Sequence, residues 1–258
     1  MPTTFTPQLS REQIEGFARD GYAQIDRITS AEEIEWFSAL YDRILENPFG
    51  KNLRFEDDEA PASGDTSRTL TQVLHPEDDF PEILETQFFG NARRLACTLL
   101  GVKEDELTKQ GTMLIFKPPR TGRSTPWHQD EAYWDQPDVE AHTASVWMPL
   151  EEATVDSGCM QFVPGSHKLG IMHYHQPAPA QPLLLDDAVD LSGAVACPLP
   201  PGGATFHYCR TLHYTGPNVS VRVRRAISAV FHGPVRPLST PIERPWLPLQ
   251  VATEAPGN

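Results

Sequence analysis

Trp127-His128-Gln129-Asp130 is the stretch of this chain with the clearest capacity for chemistry. On a strand, residues i and i+2 project from the same face. His128 and Asp130 can then offer an imidazole nitrogen and a carboxylate oxygen to one point in space. Those are two members of a two-histidine, one-carboxylate facial set, the ligand type of non-haem Fe(II) oxygenases. A lone HxD arises by chance in many chains, so the reading depends on a second histidine from a distant segment. His213 is the candidate, in Arg210-Thr211-Leu212-His213-Tyr214-Thr215-Gly216-Pro217-Asn218. Arg224 follows shortly after, and a guanidinium there can grip a carboxylate through two parallel hydrogen bonds. Three protein ligands leave three positions on an iron: a 2-oxo acid can chelate two of them, O2 can take the third, and the arginine can anchor the far carboxylate. Arg225 is the neighbouring rival, on the opposite face of a strand.

The elements that must position these residues divide the chain in two. The N-terminal third reads as helical. Ser10 begins S-R-E-Q and Ser30 begins S-A-E-E, both capping-box patterns. Ile14 and Phe17 follow the first at helical spacing, and Phe37, Leu40, Tyr41 and Ile44 mark one face of the second. Tyr22–Ile25 alternates like a short strand, residues 50–68 read as a polar, acidic loop, and a third helix is expected over Pro81–Leu100. From Thr112 onward, short segments rich in Val, Ile, Phe and Thr alternate with Gly/Pro turns. They are Thr112–Phe116, Ser145–Leu150, Met160–Val163, Ala194–Pro198, Ala204–Tyr208 and Arg225–Phe231. That spacing predicts an antiparallel sandwich or barrel.

Composition narrows the functional classes. With 21 Lys+Arg against 35 Asp+Glu in 258 residues, the net charge is −14. Such a chain repels nucleic-acid phosphates and anionic membrane surfaces. No apolar run approaches the ~20 residues of a membrane helix, and MPTTFTPQLS carries no secretory pattern. The expected location is the cytoplasm. Cys97, Cys159, Cys197 and Cys209 are widely spaced without a CxxC pair, which points to buried thiols rather than a zinc ribbon. Twenty-five prolines fit a fold with many strand-to-strand corners.

Several motifs in one order resemble the phytanoyl-CoA dioxygenase family of Fe(II)- and 2-oxoglutarate-dependent oxygenases. They are Thr112–Pro119, Trp127-His128-Gln129-Asp130, Ser157-Gly158-Cys159-Met160 through Pro164-Gly165-Ser166-His167-Lys168, Leu212-His213 through Gly216-Pro217-Asn218, and Arg224-Arg225-Ala226-Ile227-Ser228. The opening Phe17–Ile25 also looks like the family's start, so the resemblance spans roughly residues 8 to 232. It implies a mainly β fold with flanking helices, a double-stranded β-helix (jelly-roll, cupin-like) barrel. The whole of 1–258 would be one oxygenase domain, with a mainly helical support region over 1–110, the jelly-roll core over 111–232 and a proline-rich tail over 233–258. It implies iron on His128, Asp130 and His213, with Arg224 on 2-oxoglutarate in preference to Arg225. Further cosubstrate contacts would fall on Met113, Gln129, Trp147 and Thr215, each of a type that also has an ordinary packing role.

The activity so implied is a dioxygenase consuming O2 and 2-oxoglutarate, releasing succinate and CO2, and hydroxylating or otherwise oxidising a C–H bond. The expected substrate is a small metabolite or natural-product intermediate, with no nucleic-acid or membrane partner, on a monomer or homodimer. Two other classes stand beside it: a metal-dependent cupin-like enzyme that is not an oxygenase, and a non-catalytic binding module on the same fold. Tyr133, Trp134, residues 50–75 and the loop after Lys168 are expected around the substrate. Lys117, Arg120 and Arg123 read as either a solvated basic turn or an anion contact at the entrance.

Overall fold

The computed structural model describes residues 5–46, 54–57, 71–177 and 181–247. Its elements run α1 (Arg11–Asp20), β1 (Tyr22–Ile25), α2 (Ala31–Glu46), β2 (Arg54–Asp57), β3 (Thr71–Leu74), α3 (Gln87–Leu100), β4 (Lys109–Lys117), β5 (Thr125–His128), β6 (Val139–Glu140), β7 (Thr143–Pro149), β8 (Met160–Phe162), β9 (Tyr174–His175), β10 (Leu184–Leu185), β11 (Val195–Cys197), β12 (Ala204–Tyr208), β13 (His213–Thr215), β14 (Arg224–His232) and β15 (Arg236–Pro237).

The helices begin and end where their caps dictate. Ser10 Oγ accepts from Gln13 N while Gln13 Oε1 accepts from Ser10 N, closing the expected capping box. Gly21 then ends α1 at φ 85°, a conformation that favours glycine. A side chain there would also meet His167 and Thr211. The expected helix over Pro81–Leu100 is split: a 3₁₀ turn covers Pro81–Glu85, and Thr86 caps a fresh start at Gln87. Glu33 of α2 supplies the other cap, its carboxylate accepting from Gln87 N and Phe88 N at 2.7 Å each.

Seven strands form one antiparallel sheet in the order β1-β12-β7-β14-β4-β3-β2, and four form a second in the order β11-β8-β13-β5. Alternation gives the large sheet two different faces. Its outer face (Leu114, Val146, Met148, Phe206, Ile227, Ala229, Phe231) packs on Phe17, Phe37, Leu40, Tyr41, Phe88 and Leu95 of the helices. Its inner face carries Trp147 and Ala226, which pack on Cys159, Met160, Phe162 and Cys197 of the smaller sheet and its flanks.

The architecture corrects the expected closed jelly-roll barrel: this is a mixed α/β fold in which the sheets are not joined. Alternating strands suit a barrel and a sandwich equally; closure requires the outermost strands to pair. Among the described residues, the large sheet ends at β1 and β2 and the small one at β11 and β5, without pairing between them. The N-terminal part is also less purely helical than its pattern suggested. β1, β2 and β3 all join the large sheet, and Arg54–Asp57 lies inside the stretch read as loop; the rest of 50–68 falls outside the described residues.

Candidate metal centre

His128 ends β5 and His213 opens β13, and the two are direct register partners across the smaller sheet. Asp130 does not sit on the strand as alternation assumed. It opens a 3₁₀ turn, Asp130–Tyr133, which swings its carboxylate back to the histidines. Ligand-type atoms of His128, Asp130 and His213 all lie within 4.8 Å of one another. Asp130 Oδ1 is 3.5 Å from His213 Nε2 and 3.8 Å from His128 Nε2.

The imidazoles are oriented for a metal. Nδ1 of His128 lies 2.8 Å from the Pro126 carbonyl, and Nδ1 of His213 lies 2.8 Å from the Thr211 carbonyl. A carbonyl only accepts, so each Nδ1 carries the proton and each Nε2 presents a lone pair. Burial pushes the pKa of His128 below its ordinary value despite the Asp130 charge, and burial pushes that of His213 well below. For Asp130, burial acts to raise the pKa, but His213, His207 and His128 outweigh it and hold the carboxyl below the usual carboxylate range. Two neutral imidazoles and an ionised carboxylate are the protonation states a divalent cation needs.

The facing large sheet contributes residues that motif spacing did not reveal. Ser145 Oγ donates to Asp130 Oδ2 at 2.6 Å, and His207 Nε2 lies 3.1 Å from the same oxygen. The only signal in the sequence was alternation, which puts Thr205 and His207 together on one face of β12 and Phe206 on the other.

Arg224 begins β14 on the inner face and is 1% exposed. Among the described residues, its Nε, Nη1 and Nη2 have no hydrogen-bond partner, and neither has the buried Nε1 of Trp147. The guanidinium carbon sits 5.5 Å from the Trp147 ring centroid, and burial pulls its pKa down to about 10. Arg225 faces the other way, bonded to Glu151, Asp42 and the Ser38 carbonyl. Lys117, the register partner of Arg224, is buried; the structure places it in the interior and not on a solvated turn. Its Nζ donates to Thr215 Oγ1 and Gly216 O, both at 2.7 Å. Met113 is half-buried two register positions from Ile115 on that same inner side. Gln129 is elsewhere. Its amide nitrogen donates to the Gly170 and Arg210 carbonyls, and its oxygen accepts from Met172 N and the Tyr174 hydroxyl. Buried donors without partners are rare in proteins. A fully buried guanidinium with three of them, facing two neutral imidazoles and a carboxylate across the sandwich, fits a bound dicarboxylate.

Beside the cluster an apolar wall is built from Ala132, Met172, Tyr174, Leu183 and Trp246, with Trp127 and Tyr133 against it. Tyr133 meets the His128 ring edge-on at 5.8 Å. Trp246 comes from the proline-rich tail and donates Nε1–H to the Ala132 carbonyl. Glu131 anchors the same turn, bound by Arg210 at 2.7 and 2.9 Å and by Arg244 at 3.2 Å. Trp134, also expected near substrate, lies against His232. Past Lys168, His173 pairs with Asp187 and His175 with Asp186.

A family model, Phytanoyl-CoA dioxygenase (PhyH), matches residues 17–226. The chain is 26% identical over 225 residues to a probable alpha-ketoglutarate-dependent hypophosphite dioxygenase of Stutzerimonas stutzeri, covering 83% of this chain and 75% of that one. It is 24% identical over 246 residues to the ectoine dioxygenase of Stutzerimonas stutzeri (strain A1501), covering 87% and 77%. Among solved structures, EvdO2 from Micromonospora carbonacea var. aurantiaca, complexed with 2-oxoglutarate, is similar with a TM-score of 0.81 at 34% identity, over 95% of this chain and 99% of that one. SnoK from nogalamycin biosynthesis, a non-heme alpha ketoglutarate dependent carbocyclase, shares the fold at a TM-score of 0.68 and 23% identity, over 92% and 94%.

Proposed function

The chain belongs to the phytanoyl-CoA dioxygenase family, and from that premise we propose that His128, Asp130 and His213 hold Fe(II) and that Arg224 holds the distal carboxylate of 2-oxoglutarate. The protein is an iron- and 2-oxoglutarate-dependent oxidative enzyme acting on a small molecule. The observation that carries the site assignment is the orphaned guanidinium of Arg224, buried on the sheet that faces the triad.

Bound iron supplies the activation of O2, coupled to loss of CO2 from the 2-oxo acid. The residues do the rest. His128 and His213 present Nε2 lone pairs, fixed by their Nδ1–H bonds to backbone carbonyls. Arg224 takes the far carboxylate through its free N–H groups, with Trp147 as a flat floor and Thr215, held by Lys117, at its side. Met113 completes that inner wall. For Gln129 we propose a structural part: it ties the turn after His128 to the segments at Gly170 and Arg210. The wall of Tyr133, Met172, Tyr174 and Trp246 excludes water beside His128 and shapes the substrate pocket.

The outcome we favour is hydroxylation of a small metabolite or natural-product intermediate, by a cytoplasmic monomer or homodimer. Four buried free cysteines suit a reducing compartment. No helix among the described residues is long and apolar enough to cross a membrane. The test is anaerobic addition of Fe(II) and 2-oxoglutarate, followed by a substrate screen read as succinate release. A weak visible charge-transfer band that vanishes in His213→Ala and Arg224→Met is expected. Iron binding without any band on adding 2-oxoglutarate would overturn the reading and favour a metal enzyme of another kind.

A further inference from the structure

His207 and Ser145 are direct cross-strand partners on β12 and β7. Both are buried, 3% and 2% exposed, and both converge on one atom, Oδ2 of Asp130, at 3.1 and 2.6 Å. The other oxygen, Oδ1, is the one facing Nε2 of His213 and His128. A carboxylate only accepts hydrogen bonds, so His207 Nε2 carries its proton toward Oδ2. His207 is therefore aimed at the back of the carboxylate, and its Nδ1 has no hydrogen-bond partner among the described residues.

We propose that this cross-strand pair is a positioning device that locks Asp130 into one-oxygen coordination, reserving Oδ1 for the metal. The inference rests on the triad assignment above. A free carboxylate can swing to chelate with both oxygens, and the second oxygen would take a position that the cosubstrate or O2 requires. Two donors on Oδ2, one of them a rigid ring, hold that oxygen away. They also tie the sheet carrying Arg224 to the sheet carrying the two histidines, so the carboxylate is fixed from the opposite wall of the sandwich. Outer partners of this kind commonly change metal affinity by about 10–100-fold when removed.

The experiment compares His207→Phe, His207→Gln and Ser145→Ala with the unaltered protein, using Fe(II) alone and then Fe(II) with 2-oxoglutarate, anaerobically. Phe keeps a ring but has no donor; the Gln amide nitrogen can reach the place of Nε2. His207→Phe is expected to weaken Fe(II) about 10–100-fold and to shift the visible band, while His207→Gln restores both close to the unaltered values. Ser145→Ala, which removes one small hydroxyl without crowding, is expected to weaken Fe(II) about tenfold and carries the test if the Phe variant does not fold. Unchanged affinity and band in both His207→Phe and Ser145→Ala overturns the proposal. So does a His207→Gln variant as weak as His207→Phe, since the site would then need the imidazole itself. If instead His213→Ala binds Fe(II) as tightly as the unaltered protein, the triad assignment falls and this inference falls with it.

Discussion

Replacing Arg224 by methionine is expected to make the cosubstrate-free protein more stable and, at the same time, to abolish its response to 2-oxoglutarate. The two effects share one cause. The guanidinium is fully buried and its three nitrogens lack hydrogen-bond partners among the described residues. Its pKa is lowered from 12.5 to about 10, chiefly by burial. A folded-state value below the ordinary one means that the charged form is penalised on folding at any pH below about 10, by roughly 3 kcal/mol. Methionine removes that penalty but fills less space, so a net gain of about 1–3 kcal/mol remains. For a chain of this size that raises Tm by a few degrees. Against this, two charge-assisted hydrogen bonds to a carboxylate are worth roughly 1.5–3 kcal/mol each, so affinity for 2-oxoglutarate should fall about 10²–10⁴-fold. Differential scanning fluorimetry with and without 2-oxoglutarate reads both quantities. The unaltered protein at a hundredfold excess over Kd gains about 2.7 kcal/mol, and the variant gains at most about 0.4 kcal/mol. Arg225→Met is the control: it breaks the contacts to Glu151 and Asp42, lowers Tm, and leaves the cosubstrate response intact. An Arg224→Met protein that melts lower yet still binds 2-oxoglutarate normally would refute the reasoning.

Three further outcomes are expected. Burial lowers the His232 pKa to about 4, so its neutral form carries stability that is complete above pH 6.5 and drains away as pH falls toward 4. His232→Gln should flatten that part of the acid limb in urea melts, and an identical slope would argue against it. Glu131→Gln strands Arg244 and leaves Arg210 with only Glu140, both beside a neutral amide; a loss of roughly 3–5 kcal/mol is expected, and a calorimetric change under ~1 kcal/mol would mean that the cluster is not coupled. Tyr41→Phe leaves Ile115 N without its acceptor and removes a donor from the Ala226 carbonyl. It should cost about 1–3 kcal/mol by denaturant titration, and a neutral result would deny the hydroxyl its bridging part.

The convergence of His128, Asp130 and His213 was legible because their chemistry is rare and their order along the chain is strict. Strand positions were legible from alternation: Ala204–Tyr208 was expected and is observed with those bounds. The sheet arrangement was not, because alternation records which face a residue takes and is silent on which edges pair. His207 stayed hidden for a related reason. Between Phe206 and Tyr208 it reads as one more strand residue, and only the crossing of β12 over the Asp130 turn gives it a partner. The tail's part in the site was hidden as well. Nothing in its proline-rich pattern signals that Arg244 and Trp246 lie 7% and 3% exposed against the turn that carries Asp130. Lys117 looked like a surface cation because its neighbours Pro118, Pro119 and Arg120 signal a turn; the strand simply ends one residue later than the polarity suggested.

The place of β1 in the large sheet has a consequence for synthesis. β1 is an edge strand whose one neighbour among the described residues is β12, about 180 residues further along the chain. At the ribosomal pace of ~5–20 residues per second, that partner arrives roughly 10–40 s after β1 has left. Throughout that interval Ala23 and Ile25, which end up 6% exposed each, are shielded only by whatever α1 and α2 can cover. His213 is made later still, so iron cannot find its full ligand set on the early nascent chain. Overproduction beyond the capacity of the chaperones should therefore favour aggregation before loading. Chaperones in excess, with iron added after release, should raise the yield of active enzyme.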